Sequence, residues 1–592
     1  MKRSRWLLRD RPLDPRTMLA ARYGRHGAIE RQPFASSRPA ANVAPSTAAI
    51  HAPVAERLSN ALRLTLSPPP FAARMLANLS FGATPASLAE FNALGHTDFD
   101  RLANWVEWQL DWSAIDDSAL DARLSGAGYT TLDKSLTQLW ADHVRPDPEY
   151  AVRMRPAQEV QRAAFVRATF SRRQLRERMV DFWHDHFNVT ASDFAAGPVY
   201  VHYDRDVLRA HALGNFRAML EAVATSPAML FYLDNLSNTR AGPNENWARE
   251  LLELHTLGAE HYLGFMDPFQ VPPDAVDPAY PSGYTDVDVY ETASAFTGWS
   301  LKNGHWEFPA DNDGTFVYRQ SWHDAGPKFV LGRMLNPEQP AMKDGRDILD
   351  RLASHPAVAR FVCSKLIRRF IDDTPPPGLV ASAAAVFRQH WQSPDQLVHV
   401  MRHVLTSQPM FNAWGGKVRR PFEAAVAALR ATGSGFTVRL GHDRSNDFMW
   451  MFGVTGHEPY AWAAPNGYPD VARAWSGSNS FAMTWKVLNW LTEASDAAGP
   501  LLPILATSRA EVPVWTANAL VDFWCRRLLG ALPSAARRQT LVAFMAQNGE
   551  PGSYVIADTD QWAGGDLKRH YNQQRLRSLV ALILMSPEFM SR

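Results

Sequence analysis

From Phe71 to Leu257 the apolar residues of this chain return every three or four positions, and they do so again over much of the stretch from Pro356 onward. That spacing puts them on one stripe of an α-helix, whereas a half-buried strand needs alternation by twos. The helices expected are 71–80, 101–112, 133–143, 158–170, 172–189, 204–224 and 245–257, then 356–372, 378–391, 394–407, 420–432, 481–494, 514–530, 534–548 and 567–586. Helices with apolar stripes bury them against one another, so the fold class expected is mainly α, a multi-helix globular protein. At 592 residues, 46% hydrophobic and 20% charged, the chain has material for a large core. Two segments break the pattern. Residues 262–283 carry five prolines and two glycines and read as a long irregular loop; Gly453–Ser480, rich in Gly, Pro, Trp and Tyr, reads as a second. Between 305 and 333 the runs F-V-Y-R and K-F-V-L, with the turn signal D-N-D-G, predict a small antiparallel β-hairpin insertion. Thr285 with Asp288 three residues on is a capping-box signal for a further helix.

Order is expected to begin at Pro68. Residues 1–67 read as a disordered Arg/Ala/Pro-rich arm, and 68–592 as one large helical domain with a sub-boundary near 410–440. Basic residues number 61 against 60 acidic, which removes the simplest electrostatic case for a nucleic-acid partner. The N-terminal stretch has positive charge but no apolar signal core, and no run of 18 apolar residues occurs. The expectations are no membrane span and a cytoplasmic location. Cys363 and Cys525 sit in apolar helical contexts without a CxxC, and read as buried free thiols. The chain has no P-loop, HExxH, EF-hand loop or GxSxG, which argues against a P-loop enzyme, a zinc protease of that type and a serine hydrolase.

Four elements carry polar residues suited to chemistry. The first is N-E-N-W-A-R-E-L-L-E-L-H-T-L-G, Asn244 to Gly258. Asn244 is an N-cap, Glu245 and Arg249 form an i,i+4 pair, and Gly258 is the stop. On a helical wheel Asn246, Arg249, Glu250 and Glu253 share one arc, and His255 lies on the apolar side. The arc is either a solvated face or a polar site able to hold a metal, orient water or clamp an anion. The second is R-E-R-M-V-D-F-W-H-D-H-F-N-V, 176–189, where His184 and His186 point apart on a helix and cannot chelate one ion. His184 falls with Asp181, Asp185 and Asn188, and His186 falls among apolar residues. The third, W-H-D-A-G-P-K-F-V-L-G, sets His323, Asp324 and Lys328 around one turn. The fourth, P-N-G-Y-P-D-V-A-R-A-W-S-G-S, displays Tyr468, Asp470 and Trp475 on an irregular backbone, as a pocket wall or a plug over the core.

These motifs, with A-A-R-M-L-A-N-L-S-F-G-A-T-P near residue 72 and Y-T-D-V-D-V-Y-E-T-A-S-A-F-T-G-W ending at Trp299, occur together in one order. In this the chain resembles the bacterial family called domain of unknown function 1800, over about residues 70–590. The resemblance implies little about activity. It implies a sulfatase-like protein, of domain of unknown function 1501, as a partner, and it leaves export open because many members carry export signals. The family pattern F-W-x-x-H-F picks out His186 and leaves His184 incidental, while Asn244, Glu245, Asn246, Arg249 and Glu250 all match.

Two functions are expected on these grounds. One is an enzyme with its site among helices 176–189 and 244–258 and the turn 323–328. His186 or Glu250 would do acid–base work or ligate metal, Asp324 would orient His323, and Arg249 and Lys328 would bind an anion; Asn246, Trp299, Tyr468 and Trp475 complete the substrate side. Metal-dependent hydrolysis and oxidation both suit these groups, and neither metal nor cofactor is specified. The other is a non-catalytic binding or assembly protein whose polar residues form a structural network.

Overall fold

The computed structural model describes residues 66–558 and 572–592, so the expected arm lies almost wholly outside the described residues. The fold is mainly α-helical. Helices follow the periodicity closely: Phe71–Leu79, Asp98–Leu110, Leu136–His143, Arg155–Phe170 and Gln174–His186 in the first third, and Pro356–Phe370, Pro377–Gln389, Gln396–Leu405 and Pro421–Thr432 later. Shorter helices such as Pro85–Ala93, Lys343–Ala353 and Asp443–Gly453 were not expected, their apolar stripes being too brief to register. Where one hairpin was expected there are, among the described residues, three two-stranded sheets. Strand β1 (Trp299–Asn303) pairs with β2 (Asn312–Tyr318), β3 (Lys328–Val330) with β4 (Arg333–Leu335), and β5 (Ser495–Asp496) with β6 (Gly499–Pro500). F-V-Y-R and K-F-V-L thus enter different sheets, and D-N-D-G lies largely inside β2 instead of forming its turn.

The described chain forms two compact units. The first comprises 233–300 and 317–358; the second takes in the described residues before 233, then 301–316 and 359–592. Residues 410–440 lie wholly inside the second unit.

In the first unit, helix Asp286–Ala295 starts at the expected capping box, with Thr285 and Asp288 exchanging side-chain and backbone hydrogen bonds. It packs on the helix that begins at Glu245, and Trp247, Phe296 and Trp299 meet between them, with ring centroids 6.0 and 4.9 Å apart. Gly345 is required here: a Cβ would fall 2.7 Å from the Trp299 ring. Asp288 also accepts from the Leu331 amide at 2.7 Å, which holds Leu331 at a φ of +48°.

The second unit is built around helix Pro421–Thr432, every residue of which is buried. A helix apolar on nearly all sides belongs at the centre of a large core. Phe165 from helix Arg155–Phe170 packs edge-on and tilted against Phe422, Phe448 and Phe452, with centroids 4.8–5.0 Å apart. Both cysteines are buried free thiols. No helix among the described residues is long and apolar enough to cross a membrane.

Candidate functional site

In the first unit, Asn244 caps its helix as expected, its side chain accepting from the Asn246 amide at 3.0 Å. The helix is α only from Glu245 to Glu250 and becomes π-helical from Leu251 to Thr256. The Leu257 amide accordingly bonds the Leu252 carbonyl, five residues back, at 2.9 Å, and the Thr256 hydroxyl bonds the Leu251 carbonyl at 2.6 Å. Such widened turns are rare and recur at functional sites. They also end the simple wheel after Glu250, so Glu253 is not fixed on the arc of Asn246 and Arg249.

The arc itself is open to solvent at one end and half-buried at the other. Asn246 is exposed. Arg249 pairs with Glu245 at 3.0 Å and lies 3.6 Å from Asp286, its side chain 37% exposed. Burial, and then the Glu253 charge, push the Glu250 carboxyl above its ordinary range, with Arg249 offsetting only part. His255 is fully buried, its ring 5.9 Å from Trp247.

The turn of 323–328 is closed. Lys328 is buried and its ammonium donates to the Asp324 carbonyl at 2.5 Å, the Gly326 carbonyl at 2.9 Å and the Asp344 carboxylate at 2.5 Å. An ammonium has three protons, so its capacity is filled. His323, also buried, uses Nδ1 on the Thr297 carbonyl at 2.9 Å and places Nε2 3.2 Å from Asp344. Asp344, not Asp324, is therefore the carboxylate that faces His323. Asp324 instead accepts from the Gly326 amide at 2.9 Å, an aspartate turn within the loop. Burial alone would raise the Asp344 carboxyl; the bond from His323 and the Lys328 charge outweigh it and hold it below the usual range. Trp299 is buried in the core and presents no face for a substrate.

In the second unit, His186 is 1% exposed and ringed by Phe182, Trp183 and Phe187, with centroids 4.5–5.9 Å away. His184 is not incidental. Its Nε2 lies 3.0 Å from Asp204, which also takes Arg209, and Arg209 pairs with Glu177 at 2.9 Å. The polar side of the same helix carries a larger cluster. Arg369 donates to Asp181, Asp185 and Asp470, each at 2.5 Å, and Arg420 donates to Asp185 at 2.7 Å and Asp181 at 2.5 Å. Beside it, Glu423 takes Arg178 at 3.0 Å and Arg592 at 3.1 Å, and Lys417 bridges Asp373 and Asp470. Burial opposes these charges, yet the surrounding guanidiniums hold the Glu423 and Asp470 carboxyls well below their usual range. Asp181 and Asp185 stood out in sequence; Arg369 and Arg420 did not, because their carboxylates lie more than a hundred residues away along the chain.

Tyr468 and Trp475 are both 7% exposed. The Tyr468 hydroxyl donates to the Glu458 carbonyl at 2.8 Å, the Trp475 indole donates to the Pro469 carbonyl at 2.8 Å, and both rings close on His457. They plug the core. Gly467 has to be glycine, since a Cβ would strike the Asp185 carbonyl.

Among the described residues no group of three or more His, Cys, Asp or Glu side chains is placed to hold a metal ion. No curated protein and no solved structure matches the chain. A family model described as a protein of unknown function, DUF1800, matches residues 74–591, and the chain belongs to that family.

Proposed function

We propose that this protein is a binding or assembly protein, partnered by a sulfatase-like protein, in which the polar residues of the turn 323–328 serve the fold. The observation that carries this reading is the saturation of the turn. Every ammonium proton of Lys328 and both ring nitrogens of His323 face acceptors of the protein itself, in a buried setting. Groups spent in this way have nothing left to offer a substrate, and buried polar networks of this completeness specify a fold. The test uses the full chain. Co-expressed with the sulfatase-like protein of the same organism, it should elute as one complex in size-exclusion chromatography. Metal analysis of wild type, Glu250→Ala and His186→Ala should show no stoichiometric ion. Separate elution, or stoichiometric metal lost from folded variants, overturns the reading.

A second reading is an acid–base enzyme centred on Glu250. One observation favours it: a half-buried carboxyl raised by burial and by the Glu253 charge, on a helix that turns π-helical one residue later. A carboxyl shifted toward neutrality suits general acid catalysis. On this reading Glu250→Gln abolishes an activity without moving the melting temperature; on the binding reading it leaves complex formation intact.

A further inference from the structure

The second unit contains an open cleft of about 580 Å³, lined by residues of 150–162, 191–192 and 446–461. That size is within the roughly 300–1,000 Å³ of small-molecule sites. Two aromatic side chains lining it are turned to solvent: Trp450 is 69% exposed and Tyr150 60%. Single exposed hydrophobes need no explanation, but two aromatics on one concave surface do. Around them stand side-chain amides and charges, Gln158, Asn446, Arg162 and Glu458.

The polar groups are incompletely used. Arg162 donates to the Gln158 carbonyl at 3.2 Å and to Asn446 Oδ1 at 3.3 Å, both long, and its Nε has no acceptor among the described residues. The Glu458 carboxylate makes no hydrogen bond or ion pair among the described residues. Burial pushes its pKa up, and the Arg162 charge only partly offsets this.

The segment that presents Glu458 is held rigidly. Three successive carbonyls are each bonded: Glu458 O by the Tyr468 hydroxyl at 2.8 Å, Pro459 O by the buried Gln161 amide at 2.9 Å and Tyr460 O by the Ala191 amide at 2.7 Å. Tyr460 sits at a φ of +59°, unusual for an aromatic residue, and its ring stacks on His184 with centroids 3.7 Å apart. A strained backbone kept in place by several contacts is characteristic of ligand-binding segments. The hydrogen bond between His184 and Asp204, and the ion pair of Asp204 with Arg209, therefore anchor the wall of the cleft.

From this we infer that the cleft binds a neutral oligosaccharide, with Trp450 and Tyr150 stacking on sugar faces and Gln158, Asn446, Arg162 and Glu458 bonding the hydroxyls. The chemistry favours a sugar over other ligands. Flat aromatic faces match the C–H faces of pyranose rings, amides and hydroxyls exchange hydrogen bonds in both directions, and the one Arg and one Glu cancel, leaving no net charge to select an anion or cation.

The test is a calorimetric titration of the full chain with four neutral tetrasaccharides: cellotetraose, maltotetraose, chitotetraose and xylotetraose. At least one should bind at micromolar to millimolar concentration. Trp450→Ala should weaken it by about tenfold or more, and Glu458→Gln should weaken it less. Trp485→Ala removes another part-exposed tryptophan that does not line the cleft, and should leave binding unchanged. Binding that survives Trp450→Ala, equal loss in Trp485→Ala, or no heat with any of the four sugars overturns the inference. Trp450 is exposed, so its variant should fold, and an unchanged melting temperature checks that it does.

Discussion

The carboxylate cluster of Asp181, Asp185 and Asp470 and the cleft around Glu458 lie in the same unit and treat acidic side chains in opposite ways. In the cluster each carboxylate has at least one guanidinium within 2.7 Å, and Arg369 and Arg420 are 1% exposed. In the cleft the carboxylate of Glu458 is left to itself beside two solvent-facing aromatics. A buried charge that is fully paired is there to be kept in place, because removing either partner leaves the other stranded. An unpaired, part-buried group with open space before it is the kind that a ligand completes. The lesson is that polarity alone does not mark a site; unused hydrogen-bonding capacity does.

The sharpest way to break this comparison is Arg369→Ala. It leaves Asp181, Asp185 and Asp470 each with one cationic partner instead of two, and should cost about 3–5 kcal/mol in urea unfolding. A loss under about 1 kcal/mol would mean that the cluster is solvated and tolerant.

Acid probes the same contrast. Glu423 and Asp470 have depressed values, so the stability they contribute is complete above the ordinary carboxylate range near pH 4 and is lost as pH falls through their folded values. Glu458 has a raised value and the opposite sign: its contribution is complete below that ordinary range and declines as pH rises through the folded value. Melting temperature followed against pH should therefore fall steeply at the acid end. Glu458→Gln should remove only a small decline on its alkaline side.

Asp288→Ala should come next in size. It strips acceptors from the Thr285 amide and from the amide of Leu331, which sits at positive φ, a loss of about 2 kcal/mol measured by the same unfolding. Arg249→Ala should be smallest. Its pair with Glu245 is more than a third exposed, so about 0.3–0.5 kcal/mol is at stake, and high salt should erase it.

Much of the fold was legible because helix signals are local. Asn244, Thr285 with Asp288, and the apolar stripes of 158–170 and 420–432 all mark elements that form where the spacing places them. Strand pairing was less so: F-V-Y-R and K-F-V-L carry β propensity but not the identity of their partners, and each paired with a strand other than the other run. The change to π-helix at Leu251 has no sequence signal that we can name. Site geometry was legible only in part for the same reason of distance. Asp181 and Asp185 announced themselves on a helical arc, but Arg369, Arg420 and Asp344 come from elsewhere in the chain. The cleft is assembled from segments about three hundred residues apart, and G-H-E-P-Y at 456–460 reads as an ordinary loop until its carbonyls are seen to be tied down.

The central claim is that the most conspicuous polar turn of the first unit is a structural lock. Urea unfolding of the full chain carrying Lys328→Met tests it most directly. The substitution strands Asp344 without its ammonium and frees the Asp324 and Gly326 carbonyls. The account predicts a loss of about 3–5 kcal/mol, largely recovered when Asp344→Leu is added, because an apolar pair replaces the ion pair. A Lys328→Met protein as stable as wild type would contradict it and return the turn to the list of sites with chemistry to perform.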